Sequence, residues 1–175
     1  MIGILAIQGG YAEHEAVLAG LGLPFKEVRS LADTEGLTGL IIPGGESTVM
    51  DQFMQKYELK EWLLERAHDS SFVMFGTCAG LILLARYGLL DVEVERNAYG
   101  RQLDSFVAEV EVQGLGKVRG HFIRAPKIVR VGQGVEVLGE HQGVPVVVKQ
   151  GAVWGISFHP ELASDSTLHA AIFSC

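Results

Sequence analysis

Three times before Arg86, a short apolar run stops at a glycine-rich turn and a helical pattern takes over. Ile2 to Ile7 ends in Gln8-Gly9-Gly10 and leads into a helix over Glu13 to Leu21. Ala16, Val17 and Leu21 form that helix's apolar face, and Gly22 and Pro24 are its stop signals. Leu37 to Ile42 ends in Pro43-Gly44-Gly45, with Ser47 or Thr48 placed to cap a helix running toward Phe53. Glu58 to His68 reads as a further helix. Phe72 to Phe75 then ends in Gly76-Thr77-Cys78-Ala79-Gly80, ahead of the apolar helix Leu81 to Arg86. Apolar runs without polar alternation are strands covered on both faces, and their alternation with helices implies a parallel sheet.

Beyond Leu90 the pattern changes to alternating segments separated by glycines: Val92 to Val94, Phe106 to Val112, Lys117 to Ile123, Val135 to Leu138 and Val144 to Lys149. These read as mostly antiparallel strands. Ala152 to Phe158 is a last apolar strand, followed by His159-Pro160-Glu161 and a short helix from about Ser166. The expectation is an α/β, flavodoxin-like fold of three layers. It has a mostly parallel central sheet, helices on both faces and added antiparallel strands. No linker or repeat divides the 175 residues, so one domain over 1–175 is expected.

The net charge is -7 and the 14 basic residues are scattered, which argues against a nucleic acid partner. No leader pattern and no bilayer-length apolar run occurs, so no membrane partner is expected and a soluble, cytoplasmic protein is. Of the two cysteines, Cys175 is terminal and ill placed for a disulfide with Cys78, leaving a reduced thiol. Neither Cys-x-x-Cys nor His-Glu-x-x-His is present, and Gly9-Gly10 does not continue into a dinucleotide-binding pattern. No metal or cofactor is expected.

Four strand ends carry unusual polar or glycine-rich turns: Gln8-Gly9-Gly10, Pro43-Gly44-Gly45-Glu46, Gly76-Thr77-Cys78 and His159-Pro160-Glu161. In an open parallel sheet such turns converge on one crevice at the strands' carboxyl ends. Gly76-x-Cys78-x-Gly80 has the form of a nucleophile elbow with cysteine in place of serine. A helix start favours an anion, and only a thiolate attacks. His159 precedes a proline and is biased to extended backbone, so Glu161 shares its face and can hold the imidazole. Together Cys78, His159 and Glu161 form a catalytic triad suited to amide hydrolysis. The Gly44-Gly45 turn and Ala79, next after the nucleophile, offer backbone N–H groups to an oxyanion. His14, His68, His141 and His169 read as surface residues, and His121 is the weakest competitor for the base.

The turn motifs, taken with Val94-Glu95-Arg96-Asn97-Ala98-Tyr99-Gly100-Arg101-Gln102, Asp104-Ser105-Phe106 and Phe122-Ile123-Arg124-Ala125-Pro126, resemble the triad-type (class I) glutamine amidotransferases. Within that group they look like the glutaminase subunits of pyridoxal 5'-phosphate synthase, over nearly the whole chain. The resemblance implies hydrolysis of L-glutamine, with the ammonia passed to a separate barrel-shaped synthase subunit. It also implies that Gly45, Glu46, Ser47, Arg96, Ile123 and Arg124 bind glutamine. An arginine can hold an α-carboxylate through two hydrogen bonds, and Glu46 can meet the ammonium group. Gln8 is similar to a family position near the oxyanion region. The short Arg86 to Leu90 connection and the end at Cys175 depart from the family pattern and bear on partner contacts more than on catalysis. Two other readings remain: a different ammonia acceptor, or a redox-sensing protein with a reversibly oxidised Cys78.

Overall fold

All four residues of β1 (Ile2–Leu5) are buried, as a strand covered on both faces requires. The computed structural model describes residues 1–96, 105–163 and 165–174. Asn97 to Asp104 of the arginine-bearing motif and Cys175 lie outside the described residues. After β1 come α1 (Tyr11–Gly20), β2 (Phe25–Val28), β3 (Gly39–Ile42), α2 (Ser47–Lys56), α3 (Leu59–Arg66), β4 (Val73–Thr77) and α4 (Ala79–Arg86). The second half holds β5 (Val92–Glu95), β6 (Phe106–Val112), β7 (Gly116–Phe122), β8 (Lys127–Val131), β9 (Glu136–His141), β10 (Val144–Gln150) and β11 (Val153–Ile156). A 3-10 turn (Glu161–Ala163) and α5 (Thr167–Phe173) follow.

Nine strands form one sheet in the order β2-β1-β3-β4-β11-β10-β9-β6-β7. The half from β2 to β11 is parallel, and β10, β9, β6 and β7 continue it with antiparallel pairings. β5 and β8 pair separately as an antiparallel ribbon. From β1 the chain steps one way to β2 and the other way to β3, so the strand order reverses there. The loops after β1 and β3 therefore flank a crevice at a switch point, where ligands bind in such folds.

Alternate residues of the parallel strands feed two cores. Leu5, Leu40, Ile42 and Met74 pack with Met50, Met54, Leu59, Leu63 and Leu83 from α2, α3 and α4. Ile4, Ile41, Phe75 and Ile156 pack on the other face with Leu18, Leu168 and Ile172 from α1 and α5. This is the expected three-layer arrangement. Fully burying one such side chain contributes about 1.5–3 kcal/mol, so both faces hold the strand ends, and the turns they carry, at a fixed height.

Several local expectations are corrected. α1 buries His14 and Leu18, four residues apart, while Ala16 is exposed and Val17 only partly covered. Glu46 is the N-cap of α2, so neither Ser47 nor Thr48 caps it. β2 and β8 add to the expected strands, and Lys26-Glu27 and Arg130 interrupt their apolar runs. Among the described residues no helix is long and apolar enough to cross a membrane.

Candidate active site

Cys78 stands between β4 and α4 with φ 49° and ψ -101°, a strained backbone for a residue with a side chain. Its neighbours explain how the strain is held. The Cys78 N–H donates to the Ile156 carbonyl at 2.8 Å, tying the elbow to β11. A Cβ at Gly76 would lie 2.6 Å from both the Gly80 carbonyl carbon and Leu84 Cδ1, and one at Gly80 would strike the Ile42 carbonyl oxygen. Only glycines let strand and helix approach this closely.

His159 is fixed by backbone and side chain alike. Its N–H donates to the His121 carbonyl at 2.8 Å, and the His121 N–H donates back to the His159 carbonyl at 3.2 Å. His121, the weakest competitor for the base, thus meets the site through its backbone. The His159 Nδ1 lies 2.7 Å from Glu161 Oε1. Glu161 opens a 3-10 turn rather than continuing an extended strand, yet its carboxylate still reaches the ring. Burial pulls the His159 pKa down, but a hydrogen bond with the Cys78 side chain and the Glu161 carboxylate outweigh it and raise the pKa to about 10. Glu161 is penalised by burial, but His14 and His159 hold its carboxyl below the usual range.

A cavity of about 280 Å³ opens over these groups, lined by Cys78, His159, Gly44, Gly45, Glu46, Ser47, Arg96, Ile123 and Arg124 among others. The volume is near the lower end of small-molecule sites, which run from about 300 Å³ upward. Nearly every residue singled out from the sequence therefore meets in one place. Glu161 stands behind His159, and Ala79 opens α4 behind Cys78. Ile82 and Gly9-Gly10 also line the cavity. Ile82 was missed, although its position four residues beyond Cys78 on a helix marks the same face.

The two loops at the switch point are pinned together. The Gly10 N–H donates to the Gly44 carbonyl at 3.0 Å, and the Glu46 N–H donates to Gln8 Oε1 at 2.8 Å. No peptide here is cis, so the Gly45 N–H points within its peptide plane in the direction opposite to the Gly44 carbonyl, away from the β1 loop. Arg96 Nη1 donates to Thr48 Oγ1 at 3.3 Å and has no carboxylate partner among the described residues. Arg124 adopts φ 43°, a second strained backbone at the cavity wall. The Ser47 hydroxyl is buried without a hydrogen-bond partner among the described residues.

His14 and His169 are not surface residues. Both are fully buried behind Glu161. His68 is exposed as expected, and His141 is half-buried against the Phe106 and Phe122 rings.

The fold is that of the glutamine amidotransferases: a solved structure of a glutamine amidotransferase superposes with a TM-score of 0.95 at 45% identity, covering 99% of this chain and 97% of that one. The chain belongs to the SNO glutamine amidotransferase family, which it matches over residues 4–174. The pyridoxal 5'-phosphate synthase subunit PdxT of Thermus thermophilus is 48% identical over 97% of this chain and 94% of the relative. The PdxT of Methanocaldococcus jannaschii is 45% identical over 94% and 91%. The PurLQS structure from Thermotoga maritima, at 15% identity and a TM-score of 0.77, covers 99% of this chain and 96% of its own and shares the fold.

Proposed function

We propose that this chain hydrolyses L-glutamine to L-glutamate and ammonia through Cys78, His159 and Glu161, and passes the ammonia to the barrel subunit of pyridoxal 5'-phosphate synthase. The observation that carries the reading is the 2.7 Å contact from His159 Nδ1 to Glu161 Oε1 behind a cavity that Cys78 lines. The synthase comes from the relatives that bear its name.

The Cys78 thiolate attacks the side-chain carboxamide carbon, and the carbonyl electron pair moves onto oxygen. The Gly45 N–H, turned away from the β1 loop, and the Ala79 N–H at the start of α4 are the donors for that oxyanion. The His159 imidazolium gives its proton to the amide nitrogen, the C–N bond breaks, and ammonia leaves a thioester on Cys78. Water then loses a proton to His159 and attacks the thioester. The C–S bond breaks, and glutamate departs. Glu161 holds the ring through Nδ1 throughout. Arg96 and Arg124 take the substrate α-carboxylate, Glu46 its ammonium group, and Ser47 and Ile123 complete the wall. No step uses a metal or cofactor.

The hydrogen bond from the Gly10 N–H to the Gly44 carbonyl holds the Gly44-Gly45 peptide, and the two glycines let it rotate when that bond opens, so docking of the synthase can set which way its N–H points. Activity is therefore low in the isolated chain and rises with the partner. The test is a glutamine hydrolysis assay on wild type and Cys78→Ala, each with and without the barrel subunit. Full activity in Cys78→Ala would overturn the mechanism, and equal turnover with and without the partner would overturn the coupling.

A further inference from the structure

Glu161 is buried, yet the triad needs its charge. Its Oε2 has no hydrogen-bond partner among the described residues, so Oε1 carries the contacts that place it. Two imidazoles converge on that oxygen: His159 Nδ1 at 2.7 Å, and His14 Nε2, from α1, at 3.5 Å. The His14 Nε2 is also 3.3 Å from the hydroxyl of Thr77, the residue before the nucleophile. Behind it, His14 Nδ1 meets His169 Nε2 at 2.8 Å. α1, α5 and β4 thus bring His14, His169 and Thr77 together beneath the triad, and the hydrolytic steps use none of the three.

We propose that His14 is a positioning residue for the triad, holding the Glu161 carboxylate in line with His159, and that His169 fixes the His14 tautomer that does so. Two neutral imidazoles in contact need one N–H and one lone pair between them. If His14 Nδ1 carried the proton, its Nε2 lone pair would face the carboxylate, and His169 would keep its own proton on a buried Nδ1 that has no partner among the described residues. If His169 Nε2 donates instead, His14 presents Nε2–H to Glu161 and Thr77, and His169 Nδ1 is left with only a lone pair. The second arrangement avoids both the repulsion and the orphaned donor, so the contacts assign it.

Burial works against a charge on either ring. Burial lowers the His14 pKa, with Glu161 and Glu13 opposing it and His159 adding to it. Burial and the neighbouring His14 bring His169 down to about 3, against Glu161 and Asp165. The groups facing the pair are therefore Glu13 on α1, Thr77 at the end of β4, His159 and Glu161, and Asp165 before α5. Packing alone does not explain the pair. Both rings meet Phe75 edge-on, where an apolar side chain would fill the space without the cost of burying ring nitrogens.

The proposal rests on Cys78 acting as the nucleophile, so its test has one readout with glutamine and one without. Full-length wild type, His14→Leu, His14→Gln and His169→Leu are assayed with the barrel subunit for kcat and KM. Alkylation of Cys78 by iodoacetamide is followed by mass spectrometry from about pH 5 to about pH 10. In His14→Leu, kcat falls on the order of tenfold or more while KM stays within about twofold. Its alkylation at neutral pH slows by a similar factor, because a displaced Glu161 no longer favours the imidazolium beside the thiol. His14→Gln, whose amide N–H can reach the same carboxylate, recovers most of both. His169→Leu moves both readouts the same way by a smaller factor, and carries the test if His14→Leu does not fold. An unchanged kcat and alkylation profile in the folded variants would overturn the proposal, as would equal loss in His14→Leu and His14→Gln with an unmoved alkylation profile. Alkylation that depends on His14 in a chain that does not hydrolyse glutamine would overturn the functional reading and leave the positioning role standing.

Discussion

Gly44 lies against the His159 imidazole so closely that a Cβ built on it would collide with the ring's Cε1. The oxyanion turn and the catalytic base are therefore in direct van der Waals contact. Gly44→Ala must displace the ring or the turn. A misplacement of about 1 Å at a reacting group costs on the order of a hundredfold in rate. Steady-state glutaminase kinetics with the synthase present are expected to show that loss in kcat. An undiminished kcat would mean that the loop yields instead.

The elbow gives a stability prediction. A Cβ at Gly80 would strike the Ile42 carbonyl, a backbone atom at the end of β3 that cannot swing aside. Overpacking of this kind costs about 1–3 kcal/mol, and more where backbone must shift. Gly80→Ala is expected to lower the denaturant midpoint accordingly. By contrast a Cβ at Gly20, at the end of α1, meets nothing, and Gly20→Ala is the control that should leave the midpoint near wild type.

What could be read in the sequence follows from how local each signal is. The elbow, the Gly44-Gly45 turn and His159-Pro160-Glu161 announce themselves within five residues, since glycine or proline sits where the backbone demands it. Their convergence follows from the strands' parallel order. His14 was hidden because Glu13 and Glu15 flank it and make the segment look solvated. Its burial depends on α5, which returns 155 positions later to place His169 against it. The one local clue was Leu18, four residues on, which shares its face. β2 escaped for a similar reason: it is an edge strand, and Lys26 and Glu27 interrupt the apolar run.

The pH dependence of turnover follows from the forces on His159. Burial opposes its charge, while the Cys78 hydrogen bond and Glu161 stabilise it, leaving a pKa of about 10 against an ordinary 6.5. The proton handed to the leaving nitrogen is thus retained through neutral pH, and the alkaline limb of the rate profile falls near its loss. Glu161→Gln removes the carboxylate's charge and leaves Cys78 to oppose burial. The limb is expected to move to lower pH by about one unit or more, with kcat reduced even at its new optimum. A limb that stays in place would assign that ionisation to another group.

Fold stability should pass through a maximum near pH 6.5, because the buried histidines pull in opposite directions. His159 has its folded pKa raised from 6.5 to about 10. Its contribution is complete below pH 6.5 and is lost as pH rises through about 10. His169 is lowered to about 3, and His14 is also lowered. Between pH 6.5 and about 3 the unfolded chain therefore binds protons that the native rings refuse, and stability falls as the solution is acidified. Each such histidine contributes a slope of up to about 1.4 kcal/mol per pH unit in that window. Denaturant unfolding at a series of pH values measures this. His169→Leu, which has no proton to take up, is expected to flatten the slope between pH 6.5 and about 4 whatever its absolute stability, since the carboxylates with lowered pKa beside it, Glu161 and Asp165, are present in both proteins. A slope unchanged by the substitution would mean that His169 is already protonated in the native fold, and the His14 to His169 contact would then need a different proton count.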